Sequence, residues 1–393
     1  MSVTAARGFR ASGVVAGIKS NGRPDLALVV ADRTAAAAGV FTRNQVQAAP
    51  VRLSREAVSD GRLRAVVLNS GGANACTGAA GAADAVAMAA AVSAAVGCPA
   101  HDVAVASTGL IGTRLPMRRE LAGIGAAAGA LGPAGGTAAA TAIMTTDTVC
   151  KEASVQLAGA AAGVTIGGMA KGAGMLAPAL ATMLAVVTTD ADVASADLDR
   201  ALRTAVARTF DRVDVDGCMS TNDTVLLLAS ARSGVIVAPG TPAWPDFVTG
   251  LGEVCSGLAN QLVDDAEGAS KRIAIKVVGG ADEEQAVAAA RGVARSALLK
   301  CAIHGADPNW GRVLAALGTT GIAFDPEAVD ITFNGEPVCA GGVAAGDPEA
   351  ARAALAPREV TITIDLHAGA SHATVLTTDL TAEYVHENSA YST

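Results

Sequence analysis

The chain has 393 residues, of which 51% are hydrophobic but only 3% aromatic, so it has ample material for a core built from small aliphatic side chains and none for an aromatic platform that stacks nucleic-acid bases. A formal net charge of -8 argues further against a polyanionic partner. Seven cysteines, odd in number and without a C-x-x-C pair, predict reduced, mostly buried thiols in a cytoplasmic protein, and no histidine spacing suggests a metal.

The opening MSVTAARGFRASG has no apolar stretch of signal-peptide length. Residues 26–30 and 64–69 are aliphatic runs bounded by turn residues and predict strands. Met88, Val92 and Val96 recur every four residues across 82–96, which predicts a helix stopped by Gly97 and Pro99. Residues 102–106 read as a strand running into Ser107-Thr108-Gly109, and a strand that ends in a hydroxyl and a glycine can aim polar groups at one point, as an oxyanion hole requires. The uncharged stretch 121–146 is Ala, Gly and Thr broken by Pro133, so it predicts small-residue helix and loop rather than a membrane span. Its last part, 137–145, is helical and leads into Thr146-Asp147-Thr148.

Residues 167–192 read GGMAKGAGMLAPALATMLAVVTTDAD. The glycines at 167, 168, 172 and 174 allow positive φ, and 183–189 is an apolar, β-branched run of strand length. The G-K-[ST] ending of a phosphate loop is missing, and a strand follows where such a loop needs a helix. A hydroxyl at the start of a strand, fed by a Gly/Pro segment, suits a Thr182 freed by self-cleavage whose own α-amine serves as its base. An ordinary turn and strand has the same pattern.

Further on, 195–209 predicts a helix capped by Ser195, with Leu198, Leu202 and Val206 on one face. The polar run 216–223 is a loop whose hydroxyls and amides also suit a pocket wall, and 223–230 is a buried strand. A helix over 244–263 ends at Asp264-Asp265-Ala266-Glu267-Gly268, where acids oppose the macrodipole and so point to function. Residues 272–278 form a strand and 283–296 a helix; Asp307 and Pro308 then open a helix to Gly318 as cap and first position. The runs 360–366 and 373–378 are strands expected to neighbour each other, and 388–393 is a tail.

The segment AKGAGMLAPALATMLAVVTTDA resembles the processing site of the ornithine acetyltransferase family, and the resemblance continues colinearly. It recurs in GFRASGVVAGIKSNGRPDLALVV, AVVLNSGGANACTG, STGLIG, AIMTTDT, VDGCMSTNDTVLLLAS, DDAEGASK, GADPNWGRVLAALG and LTAEYVHENSAYST. It implies a cut between Ala181 and Thr182, giving an α chain 1–181 and a β chain 182–393 that form one catalytic unit, two of each in a heterotetramer. The implied fold is an α/β layered sandwich, helices over stacked mixed sheets, like that of amino-terminal-nucleophile aminopeptidases.

The implied reaction moves acetyl from N2-acetyl-L-ornithine to L-glutamate through an acetyl-threonine, in arginine biosynthesis. It needs no cofactor, and acetyl-CoA is a second acetyl donor to consider. The family places its oxyanion hole at Thr108 and Gly109 and substrate contacts at Thr148, Glu267, Asn388 and Thr393. Lys171 is assigned to the substrate's α-carboxylate and Glu267 to the ornithine ammonium because the substrates carry both signs of charge. Val149-Cys150-Lys151 departs from the family's P-K after TTDT, and Ala266 and Ser270 replace the first Gly and the Thr of D-G-E-G-A-T-K. One rival is an amidohydrolase or aminopeptidase with the same nucleophile and water as acceptor; another is a non-enzymatic binding scaffold.

Overall fold

The computed structural model describes residues 2–176 and 183–390, and the chain divides into two compact units, 1–211 with 218–265, and 212–217 with 266–392. The first unit runs β1 (Phe9–Val14), β2 (Leu26–Phe41), α1 (Ala49–Ala57), β3 (Arg62–Ser70), α2 (Gly78–Val96), β4 (Val103–Thr108), α3 (Met117–Gly129), α4 (Gly136–Ala142), β5 (Lys151–Gln156) and β6 (Thr165–Lys171). It continues with β7 (Leu184–Thr189), β8 (Asp192–Val193), α5 (Ser195–Arg208), β9 (Thr224–Ala229), β10 (Ile236–Val237) and α6 (Ala243–Asp264). The main sheet has the order β4-β3-β2-β9-β7-β6-β5, with β1 paired to β2. It is mixed: β3–β4 and β7–β9 are parallel and the other pairs antiparallel.

The 16-residue β2 serves two arms of this sheet. Its first part, Leu26 to Val30, pairs with β3; past a register shift, Ala36 to Phe41 pairs with β9. The arms fold over a shared core in which Val66, Leu68, Ala104 and Ala106 of β3 and β4 join Met169, Leu184, Val186, Leu226 and Leu228 of β6, β7 and β9. The pleat sends alternate β2 residues to opposite faces: Ala27 and Val29 enter this inner core, while Leu26, Leu28 and Val30 pack outward on Met88 and Val92 of α2 and Ile124 of α3. On the other arm α6 lies along β5 and β6. The unit is therefore a helix–sheet–sheet–helix sandwich, the layered α/β fold expected.

The second unit contains β11 (Arg272–Gly280), α7 (Glu283–Ala294), α8 (Ala297–His304), α9 (Trp310–Leu317), β12 (Asp330–Phe333), β13 (Glu336–Ala340), β14 (Val343–Ala344), α10 (Pro348–Ala354), β15 (Glu359–Asp365), β16 (Ser371–Thr378) and α11 (Ala382–Ala390). Its mixed sheet has the order β14-β13-β12-β15-β11-β16. Alternate residues Ile273, Ile275 and Val277 of β11, with Ile362 and Ile364 of β15, bury against Ala286, Ala290 and Val293 of α7.

Several expectations are corrected. Gly167 and Gly168 lie inside β6 rather than in a turn; a Cβ at Gly167 would sit 2.3 Å from the Ser2 carbonyl oxygen, so close packing demands glycine there. Ser195 is the first helical residue and makes no cap, the N-cap being Ala194. Pro308 precedes α9, whose N-cap is Asn309. The strands β15 and β16 do not neighbour each other, since β11 lies between them. Only Cys255 and Cys339 are buried, while Cys76, Cys218 and Cys301 are exposed.

Candidate active site

Thr108 ends β4 on the inner side of the sandwich, and its carbonyl accepts the N–H groups of Gly71 at 2.9 Å and Gly72 at 3.0 Å. The next residue, Gly109, has φ +130°, and a Cβ on it would lie 2.5 Å from the Gly72 nitrogen. No side chain fits there, so the turn that presents Thr108 requires glycine. Lys171, the last residue of β6, reaches across from the other arm and donates through Nζ to Thr108 Oγ1 at 3.3 Å; both residues are buried. Folding of the sheet at β2 thus joins two strand ends that are far apart in strand order.

Strand β7 starts beside this pair, with Leu184 opposite Lys171 in register. Met183 precedes it, and its N–H donates to Asp223 Oδ1 at 3.1 Å. Thr182, Ala181 and Thr393 lie outside the described residues. Asp223 is fully buried, and burial pushes its carboxyl well above the usual range against the hydrogen bonds from Met183 and Ser220 and the nearby charge of Lys171. Its neighbour Asn222 ties this loop to β4, donating to the carbonyls of Ala73 at 2.6 Å and Ser107 at 2.9 Å. The polar run 216–223 gave the signal for these residues, though not which of them would matter.

Thr148 is exposed, and its hydroxyl and N–H both donate to Asp265, the N–H at 3.0 Å. Its neighbour Asp147 is the buried residue. Asp147 accepts from Gly172 N–H at 2.7 Å and from Lys151 Nζ at 2.6 Å, and Lys151 also meets Asp265 at 2.5 Å. Burial opposes the Asp147 charge, but Lys171 and Lys151 outweigh it and hold the carboxyl down at about 2. Asp265 at the end of α6 therefore answers a buried cation, which is why a carboxylate is tolerated at that negative helix end. Lys19 belongs to the same charged region: burial lowers its ammonium to about 8, against the pull of Asp25 and with the help of Lys171. Its Nζ donates to the carbonyls of Met144 at 2.6 Å and Pro24 at 3.0 Å.

Within the second unit Glu267 and Asn388 come together, the Asn388 amide donating to Glu267 Oε2 at 3.0 Å. Asn388 lies in α11 rather than in a frayed tail. The loop carrying Glu267 is held by Asp379, which accepts the N–H groups of Ser270 at 2.9 Å and Lys271 at 2.8 Å, and by Thr381, whose hydroxyl donates to the Gly268 carbonyl at 2.6 Å.

An α/β sandwich that converges a glycine-backed hydroxyl, a buried lysine and a buried carboxyl on the start of one strand has the construction of an enzyme site. The model of the ArgJ family matches residues 10–393, and the chain belongs to that family. It is 57% identical to the arginine biosynthesis bifunctional protein ArgJ of Thermobifida fusca and 56% identical to that of Streptomyces coelicolor, each over 100% of both chains. The solved structure of the Bacillus halodurans arginine biosynthesis bifunctional protein argJ is similar at 36% identity with a TM-score of 0.50, covering 52% of this chain and 97% of that one. Family membership makes the chain an enzyme and favours acetyl transfer over the hydrolase alternative.

Proposed function

We propose that this enzyme transfers acetyl from N2-acetyl-L-ornithine to L-glutamate in arginine biosynthesis, through an acetyl ester on Thr182 after self-cleavage between Ala181 and Thr182. The observation that carries this reading is the contact of Lys171 with Thr108 beside the start of β7, because it gathers a cation and an oxyanion donor where the proposed nucleophile joins the sheet.

Maturation frees the α-amine of Thr182. An α-amine has a reference pKa of about 7.7 to 8.0, near working pH, whereas a lysine near 10.4 stays protonated. The amine takes the hydroxyl proton as Thr182 attacks the acetyl carbonyl, Thr108 and Gly109 stabilise the oxyanion, and ornithine departs with its amine protonated. Glutamate then attacks the ester and leaves as N-acetylglutamate. Lys171 binds the α-carboxylate common to donor and acceptor, Thr148 lines the pocket, and Glu267 with Asn388 and Thr393 recognises the side chain. Acetyl-CoA, charging the same threonine, is the donor for a second activity, and no resident cofactor is required. Two α and two β fragments assemble in the cytoplasm.

The test is intact-mass measurement of the purified 38.6 kDa chain, followed by acceptor competition. Two associated fragments with Thr182 at a new amino terminus, and acetylglutamate formed from acetylornithine faster than free acetate, are expected. A single uncut species that still turns over would remove Thr182 from the mechanism, and acetate as the main product would restore the hydrolase.

A further inference from the structure

Lys19 has no place in the transfer reaction just described, yet it belongs to the same ring of contacts. It sits in the loop 15–25 that joins β1 to β2. That loop is gathered on the buried side chain of Asp25, which accepts the N–H groups of Ala16 at 2.6 Å, Ile18 at 2.6 Å and Lys19 at 2.9 Å. With its backbone fixed in this way, Lys19 passes its side chain over the turn that presents Thr108: its Cγ lies 3.2 Å from where a Cβ on Gly71 would stand, and the Gly71 N–H donates to the Thr108 carbonyl. Lys19 Nζ then reaches the Met144 carbonyl at 2.6 Å, three residues before Asp147, which holds the N–H of Gly172 next to Lys171. Lys171 closes the ring on Thr108.

An ammonium has three donors. Lys19 places two on the Met144 and Pro24 carbonyls, and its third has no partner among the described residues. The neighbouring Lys151 is fully buried and already engaged by Asp147 and Asp265. Burial first, and then the like charge of Lys171, lower the Lys19 ammonium to about 8 against the pull of Asp25 and Asp147. Two cations held in one region repel each other, and an anion that meets both relieves that repulsion.

We infer that Lys19 selects glutamate as the acceptor, holding its side-chain carboxylate while Lys171 holds the α-carboxylate. The inference rests on the transfer reading above and adds the specificity of its second half. Donor and acceptor share an α-carboxylate but carry side-chain charges of opposite sign. Glu267, assigned to the ornithine ammonium, repels a carboxylate, so the acceptor's side chain needs a cation of its own. A half-buried ammonium with a donor to give is a strong partner for it, because a charge-assisted hydrogen bond is shorter and stronger than a neutral one. Glutamine has nearly the same shape and offers no charge at that position, so it separates the role of charge from that of size.

Purified enzyme is supplied with acetylornithine and offered glutamate or glutamine, and kcat/KM is measured for each acceptor in wild type, Lys19→Met, Lys19→Arg and Lys171→Met. Wild type should favour glutamate by about 10- to 100-fold, as one hydrogen bond to a charged group gives. Lys19→Met should lose most of that preference, and Lys19→Arg should keep much of it. The ratio of two acceptors in one preparation cancels any loss of folded enzyme, and a residue that only tethers its loop lowers both acceptors alike. An unchanged ratio in Lys19→Met therefore overturns the inference. So does a wild type that takes both acceptors equally, a result that needs no variant to fold. A preference lost in Lys171→Met but kept in Lys19→Met gives the side-chain carboxylate to Lys171 and overturns it as well. Wild-type enzyme that acetylates neither acceptor instead overturns the transfer reading on which the inference stands.

Discussion

Thr108 and Lys171 touch, yet their losses should register in different kinetic constants. In the proposed mechanism Thr108 meets charge that exists only once the carbonyl is attacked, and removing one such donor costs about 10²- to 10³-fold in kcat. Lys171, if it binds the substrate carboxylate as proposed, is engaged before, during and after attack and should act mainly through KM. Kinetics of Thr108→Ala and Lys171→Met, on material first shown to be cleaved, decide this: a pure KM effect for Thr108 or a collapsed kcat at constant KM for Lys171 reverses the assignment. The residues seen earliest in the sequence were those with a motif around them. Ser107-Thr108-Gly109 carries its own geometric argument, whereas Asp147, Lys151 and Asp223 matter through partners 25 to 114 residues away that no local pattern reveals.

Strand β5 is pinned by the buried Lys151 between Asp147 and Asp265, and this arrangement has a pH signature. The folded pKa of Asp147 is depressed to about 2, below the unfolded reference of about 3.9. Its contribution is therefore complete above the unfolded value and is lost as pH falls toward about 2, on the order of 2–3 kcal/mol. Urea titrations from neutral to acid pH should show this loss in the wild type and a shallower slope in Asp147→Asn. Lys151→Met should be worse than either, by about 3–5 kcal/mol at neutral pH, because two carboxylates lose their shared cation; equal stability with wild type would mean the triad is neutral. The elements themselves were legible where hydrophobic periodicity was strong, as in α5 and α6. They were missed where tertiary pairing decides: β2 extends through an alanine-rich stretch because β9 pairs with it, and β6 is a strand despite two glycines because β5 and β7 flank it.

At the scale of the molecule, the proposed cut falls between adjacent strands β6 and β7 of one sheet and at none of the boundaries of the two compact units. In the order β4-β3-β2-β9-β7-β6-β5, strands β9 and β7 come from the second fragment and are flanked on both sides by strands of the first. The fragments should consequently copurify in native buffer and part only in denaturant; separation on a sizing column without denaturant would contradict the strand order. Uncut Thr182→Ala should regain its native spectrum after dilution from denaturant, whereas the cleaved enzyme should recover poorly and in proportion to concentration, having to insert two strands from a separate molecule. The doubly paired β2 sharpens this asymmetry, because it must be seated against β3 and β9 alike before the inner core can close. If the proposed cut is made, a cleaved molecule is a record that threading was completed once, and its working lifetime should be governed by the rate at which it first comes apart rather than by any equilibrium it can revisit.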